Sequence, residues 1–239
     1  MFKTLRNAFK IQDIRKRMLF TFFMLIVVRL GAAIPTPGVK RGVMESFFAS
    51  LSGSSGALDL FSAMTGGSLE NMSIFALSIT PYITSSIIMQ LLTIAIPKLE
   101  EMQKEGEDGR KKIREITRYV TIGLSVIQSL AMGINFARGG SLDYNNAFGV
   151  IVTVLSLTGG SALLMWIGEQ ITTHGVGNGI SIVLLINILS RLPQDFGSLY
   201  EKFIKGATNI VTGGLAALVI IAVIVFTVIF VVYLQDAER

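Results

Sequence analysis

Long apolar runs, separated by short polar or charged stretches, set the pattern of the chain. Six runs fall at residues 18–34, 72–96, 118–137, 148–168, 179–192 and 208–234. A membrane-spanning helix needs ~20 mostly apolar residues, and fewer where polar ends reach the interface. The pattern therefore predicts an all-α, polytopic membrane protein with six transmembrane helices. The first run stops at Pro35 and Pro37 and the second at Pro97, and proline cannot continue a helix. The fifth is short, contains Asn187 and is expected to end before Pro193. It either crosses or forms a buried, re-entrant helix that leaves five spans. The sixth is long enough to cross with tilt.

Between the spans lie a polar stretch at 35–59, a dense charged loop at 97–117 and shorter loops at 138–147, 169–178 and 193–207. Residues 1–17 form an amphipathic basic terminus, and 235–239 begin another polar segment. Six Lys or Arg residues fall within 1–17 and seven within 97–118, thirteen of the 21 in the chain. Basic loops stay on the cytoplasmic side, so both ends of the chain and the 97–117 loop are expected there. The second block includes Lys104, Arg110, Lys111, Lys112 and Arg114. These residues either set topology or contact nucleic acid or anionic lipid. Arg29 sits inside the first span near its far end and is expected to reach for the interface.

Composition narrows the class further. The 239 residues are 51% hydrophobic and 15% charged, against roughly 25% charged in soluble domains, and the mean hydropathy is +0.62. No cysteine and a single histidine, His174, exclude disulfides, thiolate metal sites and paired-histidine motifs. The spans contain no nucleophile–histidine pair and no evident aspartate pair, so a membrane-embedded enzyme is not expected. The first run lacks an A-x-A exit, which argues against a cleavable signal peptide.

The stretch "GGSLENMSIFALSITPYITSSIIMQ", residues 66–90, combines apolar character with Pro81, several hydroxyls and Gln90. Such polarity must face protein or water. Helical spacing puts Ile79, Ile83, Ser86 and Gln90 on one stripe, apolar first and polar toward the cytoplasm. That stripe suits a water-filled funnel narrowing to an apolar collar, which seals by dewetting. It also suits ordinary helix packing, and the same holds for Ile180 and Leu184. "GVGNG" lacks the Lys-Ser/Thr of a phosphate loop. A secondary transporter with broken helices is the alternative, but spans two to six hold no evident ionisable group at midplane.

The stretch "FSAMTGGSLENMSIFALSITPYITSSIIMQLL" resembles the second-helix region of the SecY family, the channel subunit of the protein translocase. So do "IPTPGV", "KEGEDGRKKI" and "GEQITTHGVGNGIS", which occur in the family's order. The resemblance runs from about Arg15 to Arg239. It implies a ten-helix clamshell of two inverted halves, of which this chain is the first half plus the sixth helix. By that resemblance residues 60–71 match the plug, through Leu60, Phe61, Met64, Gly66, Gly67, Leu69 and Asn71. Ile79, Ile83, Ile180 and Leu184 match members of the apolar pore ring, and Ser85, Ser86 and Gln90 lie at or near the lateral gate. It implies a passive channel without cofactor or metal in the bacterial plasma (inner) membrane. The implied partners are the small subunits SecE and SecG, the motor ATPase SecA, the ribosome through its RNA and protein, signal sequences, nascent chains and membrane lipids.

Overall fold

Proline and glycine decide where the first half of the chain is helical. In the computed structural model, which describes residues 11–40, 62, 64–140, 142, 147–201 and 210–237, the first helix, α1 (Gln12–Ala33), ends one residue short of Ile34-Pro35. The next, α2 (Thr80–Ala95), carries Pro81 in its first turn, where the missing N–H costs nothing. Pro97 ends α2 and opens α3 (Pro97–Lys104), bent from it by 101°. Gly106, at φ +83, makes the turn into α4 (Glu107–Arg138), whose first turn carries Glu107 and Asp108 at the positive helix end. Helices α5 (Ala147–His174), α6 (Gly179–Tyr200) and α7 (Ile210–Ala237) follow. The described residues form no strand, only isolated bridges at Pro35–Ser73 and Val39–Leu142.

Among the described residues, α4, α5, α6 and α7 are long and apolar enough to cross a membrane, and the bent pair α2–α3 makes a fifth span if counted as one. Helix α1 falls outside that count because every 18-residue stretch of it contains Lys16, Arg17 and Arg29. Three boundaries differ from expectation. The second span was expected to be helical from Met72, but α2 begins at Thr80 and residues 71–79 form successive turns, with Met72 at φ +45 and Ser78 at φ +52. The charged stretch 97–117 was expected to be a loop. It is instead α3 and the first turns of α4, supported by ion pairs on the helix surface such as Lys104 Nζ–Glu100 Oε1 at 2.6 Å. Helix α6 was expected to end before Pro193 but continues to Tyr200, since a proline removes only one helical hydrogen bond and helices in membranes tolerate that loss.

The chain divides into two compact units, Met1–Leu189 and Ser190–Arg239. In the second, Arg191 Nε lies 3.8 Å from Asp195 Oδ1, and Phe226 stacks on Phe230 one turn along α7. In the first, α4 packs against α5, α2 and α3, and α1 packs on α5. The packed face of α4 is small and hydroxylated, with Thr117, Thr121, Ser125, Ser129 and Gly133 recurring every fourth residue and all buried. Small residues of this kind let backbones approach closely. Each hydroxyl on that face is satisfied by its own helix, as in Thr121 Oγ1 to Thr117 O at 2.7 Å and Ser125 Oγ to Ile122 O at 2.8 Å. From that face Ser129 also shares a hydrogen bond with Thr158 of α5 at 2.9 Å.

The turns at 71–79 are fixed by backbone pairing with the end of the first span. Thr36 N donates to Met72 O at 2.8 Å and Ile74 N donates to Ile34 O at 3.0 Å. Two apolar clusters flank this pairing. One gathers Val39, Leu69, Met72, Ala76, Leu77, Phe136, Leu142 and Leu157. The other gathers Val28, Ala32, Phe75, Ile79, Leu164, Ile167, Ile171 and Val183. Helix α5 reaches the turns through Gly160, where an added Cβ would run into the Ile74 carbonyl, while one at Gly159 would meet nothing within 4 Å. Gly160→Ala is expected to destabilise by about 1–3 kcal/mol, and Gly159→Ala to be neutral or stabilising by up to about 1 kcal/mol. Thermal unfolding of the two variants in detergent checks this, and equal midpoints would dismiss the contact.

Candidate functional site

The site begins with a glycine-hinged turn. Ser62, Met64 and Thr65 are helical, and residues 66–71 then turn back on themselves. Gly66 and Gly67 hold φ of +64 and +78, a region that side chains rarely adopt. The turn closes on itself through Gly67 N to Ser62 O at 3.1 Å, Asn71 N to Gly67 O at 3.0 Å and Ser73 N to Ser68 O at 2.9 Å. Ser62 Oγ donates to Glu70 Oε1 at 2.6 Å. Leu69 anchors the turn in the first apolar cluster, Met64 is half-buried and Asn71 is exposed. Leu60 and Phe61 lie outside the described residues.

Directly after this turn, the four isoleucine and leucine positions converge. Ile79 is fully buried in the second apolar cluster, and Ile83, Ile180 and Leu184 pack half-buried against that same cluster. Gly168 of α5 brings two of them together, because a Cβ there would lie 3.1 Å from Ile180 Cγ1 and 3.6 Å from Ile79 Cδ1. Ile79 is not on a helix, as the stripe reading required, but immediately before α2. Its carbonyl accepts from Ile83 N at 3.1 Å, which keeps the two side chains one turn apart.

The polar residues of α2 separate into two roles. Ser85 is buried and donates its only hydroxyl proton to Pro81 O at 2.7 Å. Ser86 and Gln90 face a cleft of about 280 Å³ between α2, α3 and α4, shared with Tyr82, Gln103, Arg110 and Arg114. Arg110, Lys112 and Arg114 are exposed on α4. Lys104 and Lys111 are exposed too, each paired to a carboxylate on its own helix, Glu100 and Asp108. A second cleft of about 430 Å³ opens between α4, α5 and the start of α6, lined by Tyr82, Lys111, Arg114, Asn178 and Ile180 among others. On its wall Arg118 Nε meets Glu169 Oε1 at 2.7 Å, joining α4 to α5.

The glycine cluster before α6 is a joint. Asn178 caps α6, accepting from Ile180 N at 3.1 Å through Oδ1. Gly177 turns at φ +72, and Gly179 packs on the Gly168 carbonyl so closely that no side chain fits. Thr21 of α1 locks the joint by accepting from Val176 N at 3.2 Å. Three further residues meet where pattern reading saw none. Asn187 Nδ2 donates to Ser78 Oγ at 3.4 Å in the interior. A Cβ on Gly66 would lie 2.8 Å from the Asn187 carbonyl oxygen and 3.1 Å from Arg29 Nη1. Arg29 is half-buried, with one end of its side chain against the glycine turn.

An all-helical membrane protein with a glycine-hinged, non-helical segment beside an apolar cluster and polar clefts is the class this geometry defines. Comparison with known proteins narrows it. A family model described as SecY matches residues 73–239, and the chain belongs to the SecY family. It is 43% identical over 248 residues to the protein translocase subunit SecY of Bacillus subtilis, covering all of this chain and 56% of that relative. It is 42% identical over 220 residues to that of Pseudomonas aeruginosa, covering 90% of this chain and 49% of the relative. The chain thus spans about half the length of the curated relatives it matches. Among solved structures, Sec61 in the canine ribosome-channel complex from the endoplasmic reticulum aligns with a TM-score of 0.51 and 15% identity over 80% of this chain and 38% of that one. That likeness speaks to the fold.

The Arg118–Glu169 pair is half-exposed on the arginine side, so its contribution is expected to be modest. A double-mutant cycle with Arg118→Gln and Glu169→Gln should give a coupling of about 0.2–1 kcal/mol that shrinks with added salt. A coupling unaffected by salt would mean that the pair is shielded from solvent.

Proposed function

We propose that this chain contributes the first half of a protein-conducting channel that passes unfolded secretory proteins across a bacterial plasma (inner) membrane and releases apolar helices sideways into lipid. The observation that carries the reading is the convergence of Ile79, Ile83, Ile180 and Leu184 on one apolar cluster, immediately after a glycine-hinged turn, in a chain of the SecY family. In this reading the four side chains form part of an apolar collar. Ile83, Ile180 and Leu184 present surface to the path, and buried Ile79 supports them from behind. The collar closes by dewetting when empty and fits around an extended chain when occupied. The turn at 66–71 covers it from outside as the plug.

Helices α2 and α4 form one side of the lateral gate, with Ser86 and Gln90 facing the cleft between them and Ser85 holding α2 in shape. A sufficiently apolar segment leaves through the gate because burial of its apolar area in lipid outweighs the cost of crossing. The amino terminus and the basic face of α3–α4 lie in the cytoplasm, where Lys104, Arg110, Lys111, Lys112 and Arg114 meet the ribosome, the motor ATPase SecA or anionic headgroups. SecE and SecG complete the channel, and the driving energy comes from the ribosome or SecA. Family membership leaves the secondary-transporter alternative without an observation in its favour.

The test is a crosslink. A cysteine replaces Ile83 in a cysteine-free version of the complete channel, and a secretory chain stalled midway carries a second one. A disulfide whose yield depends on the length of the stalled chain supports the collar. No product at any of the four positions, with stalling verified, removes it. In planar bilayers, Ile83→Asn and Ile180→Asn should raise the resting ion conductance of the assembled channel several-fold, because a wetted collar no longer excludes ions.

A further inference from the structure

The buried end of Arg29 is the least expected feature of the interior. Its Nη1 atom is shielded from solvent and has no hydrogen-bond partner among the described residues. The glycine turn lies against it. The Nη1 atom and the Asn187 carbonyl both stand over the same face of Gly66, at 3.1 and 2.8 Å from where a side chain would begin. Neither Ser62 nor Glu70, which tie the turn together, is bonded to it. A guanidinium is permanently charged and only donates. A dry, unpaired donor raises the free energy of whatever arrangement keeps it dry.

We propose that Arg29 is a positioning residue that primes the turn at 66–71 for displacement. This rests on the reading of that turn as the channel's movable barrier. With the turn in place, one end of the guanidinium is covered and unpaired. With the turn moved aside, water or a backbone carbonyl of a passing chain reaches Nη1 and supplies the missing acceptor. The arginine therefore opposes closure, while the glycines, the Leu69 anchor and the Ser62–Glu70 bond favour it. The sign is the informative part, since a charge beside a barrier would ordinarily be taken as a clamp. The class of group recognised in the open state is an uncharged acceptor, as offered by any polypeptide backbone regardless of its sequence.

The experiment uses a cysteine-free version of the complete channel in membranes, with Leu69→Cys as reporter, because Leu69 is buried while the turn is in place. Labelling by a water-soluble maleimide measures how often the turn is displaced. Arg29→Met, which keeps length and apolar stem, is expected to slow labelling on the order of tenfold and to reduce export of precursors with weakened signal sequences. Arg29→Lys, still a charged donor, should behave like the parent more closely than Arg29→Met does. Gly66→Ala, which forces a side chain against Asn187 and into an unfavourable φ, should speed labelling and raise resting conductance. Faster or unchanged labelling in Arg29→Met, with Gly66→Ala still loosening the channel, overturns the priming role and leaves the barrier reading intact. No effect of Gly66→Ala on conductance or signal selectivity overturns the barrier reading itself. Amounts of assembled complex are compared throughout, and Arg29→Gln replaces Arg29→Met if the latter does not assemble.

Discussion

Two backbone hydrogen bonds between the end of the first span and the turns before α2 hold this architecture together. Away from water, backbone amides and carbonyls must find partners within the protein, and irregular chain is tolerated only where protein surrounds it. Residues 71–79 are irregular and almost wholly buried. Their pairing with Ile34 and Thr36 meets that demand with short, strand-like contacts in an otherwise helical protein. Much follows from it. The start of α2 is delayed to Thr80, Ile79 is brought into the second apolar cluster, and Gly160 is required because a carbonyl of the turns lies against α5.

Much of the fold was legible along the chain. Each of the six apolar runs overlaps one of the helices, and Pro35 and Pro97 mark true ends. The delayed start of the second helix escaped because hydropathy reports burial and says nothing of φ. The run from Met72 to Ile79 is as apolar as a helix and is not one, since Met72 and Ser78 take positive φ to satisfy distant partners. In the charged stretch, abundance of charge hid the regular spacing, with Glu100 and Lys104 stacked on α3. Asn178 was readable as a cap, being an asparagine followed by an apolar run.

The candidate site was less legible from residues alone. Spacing of four between Ile79 and Ile83, or between Ile180 and Leu184, fits a collar and ordinary packing equally. Only the family resemblance separated those meanings, and the structure adds that all four side chains join one cluster. Arg29 and Asn187 escaped because their meeting with Gly66 joins α1, a turn and α6, positions far apart in sequence. Ser85, Ser86 and Gln90 read alike as polar residues of one span. Three dimensions distinguish them, with Ser85 bonded back to its own helix and the other two open to a cleft.

The hydroxylated face of α4 has a mechanical consequence. Thr117, Thr121, Ser125 and Ser129 each return a bond to their own helix, and α2 does the same with Ser85 and Thr93. Among the described residues no side-chain hydrogen bond joins α2 to α4. Their contact therefore lacks a polar register. The two helices can shear along one another by small steps while every buried hydroxyl keeps its partner, and only the van der Waals fit resists. A seam built from polarity that has been turned inward behaves as a bearing surface, able to slide without exposing an unpaired group.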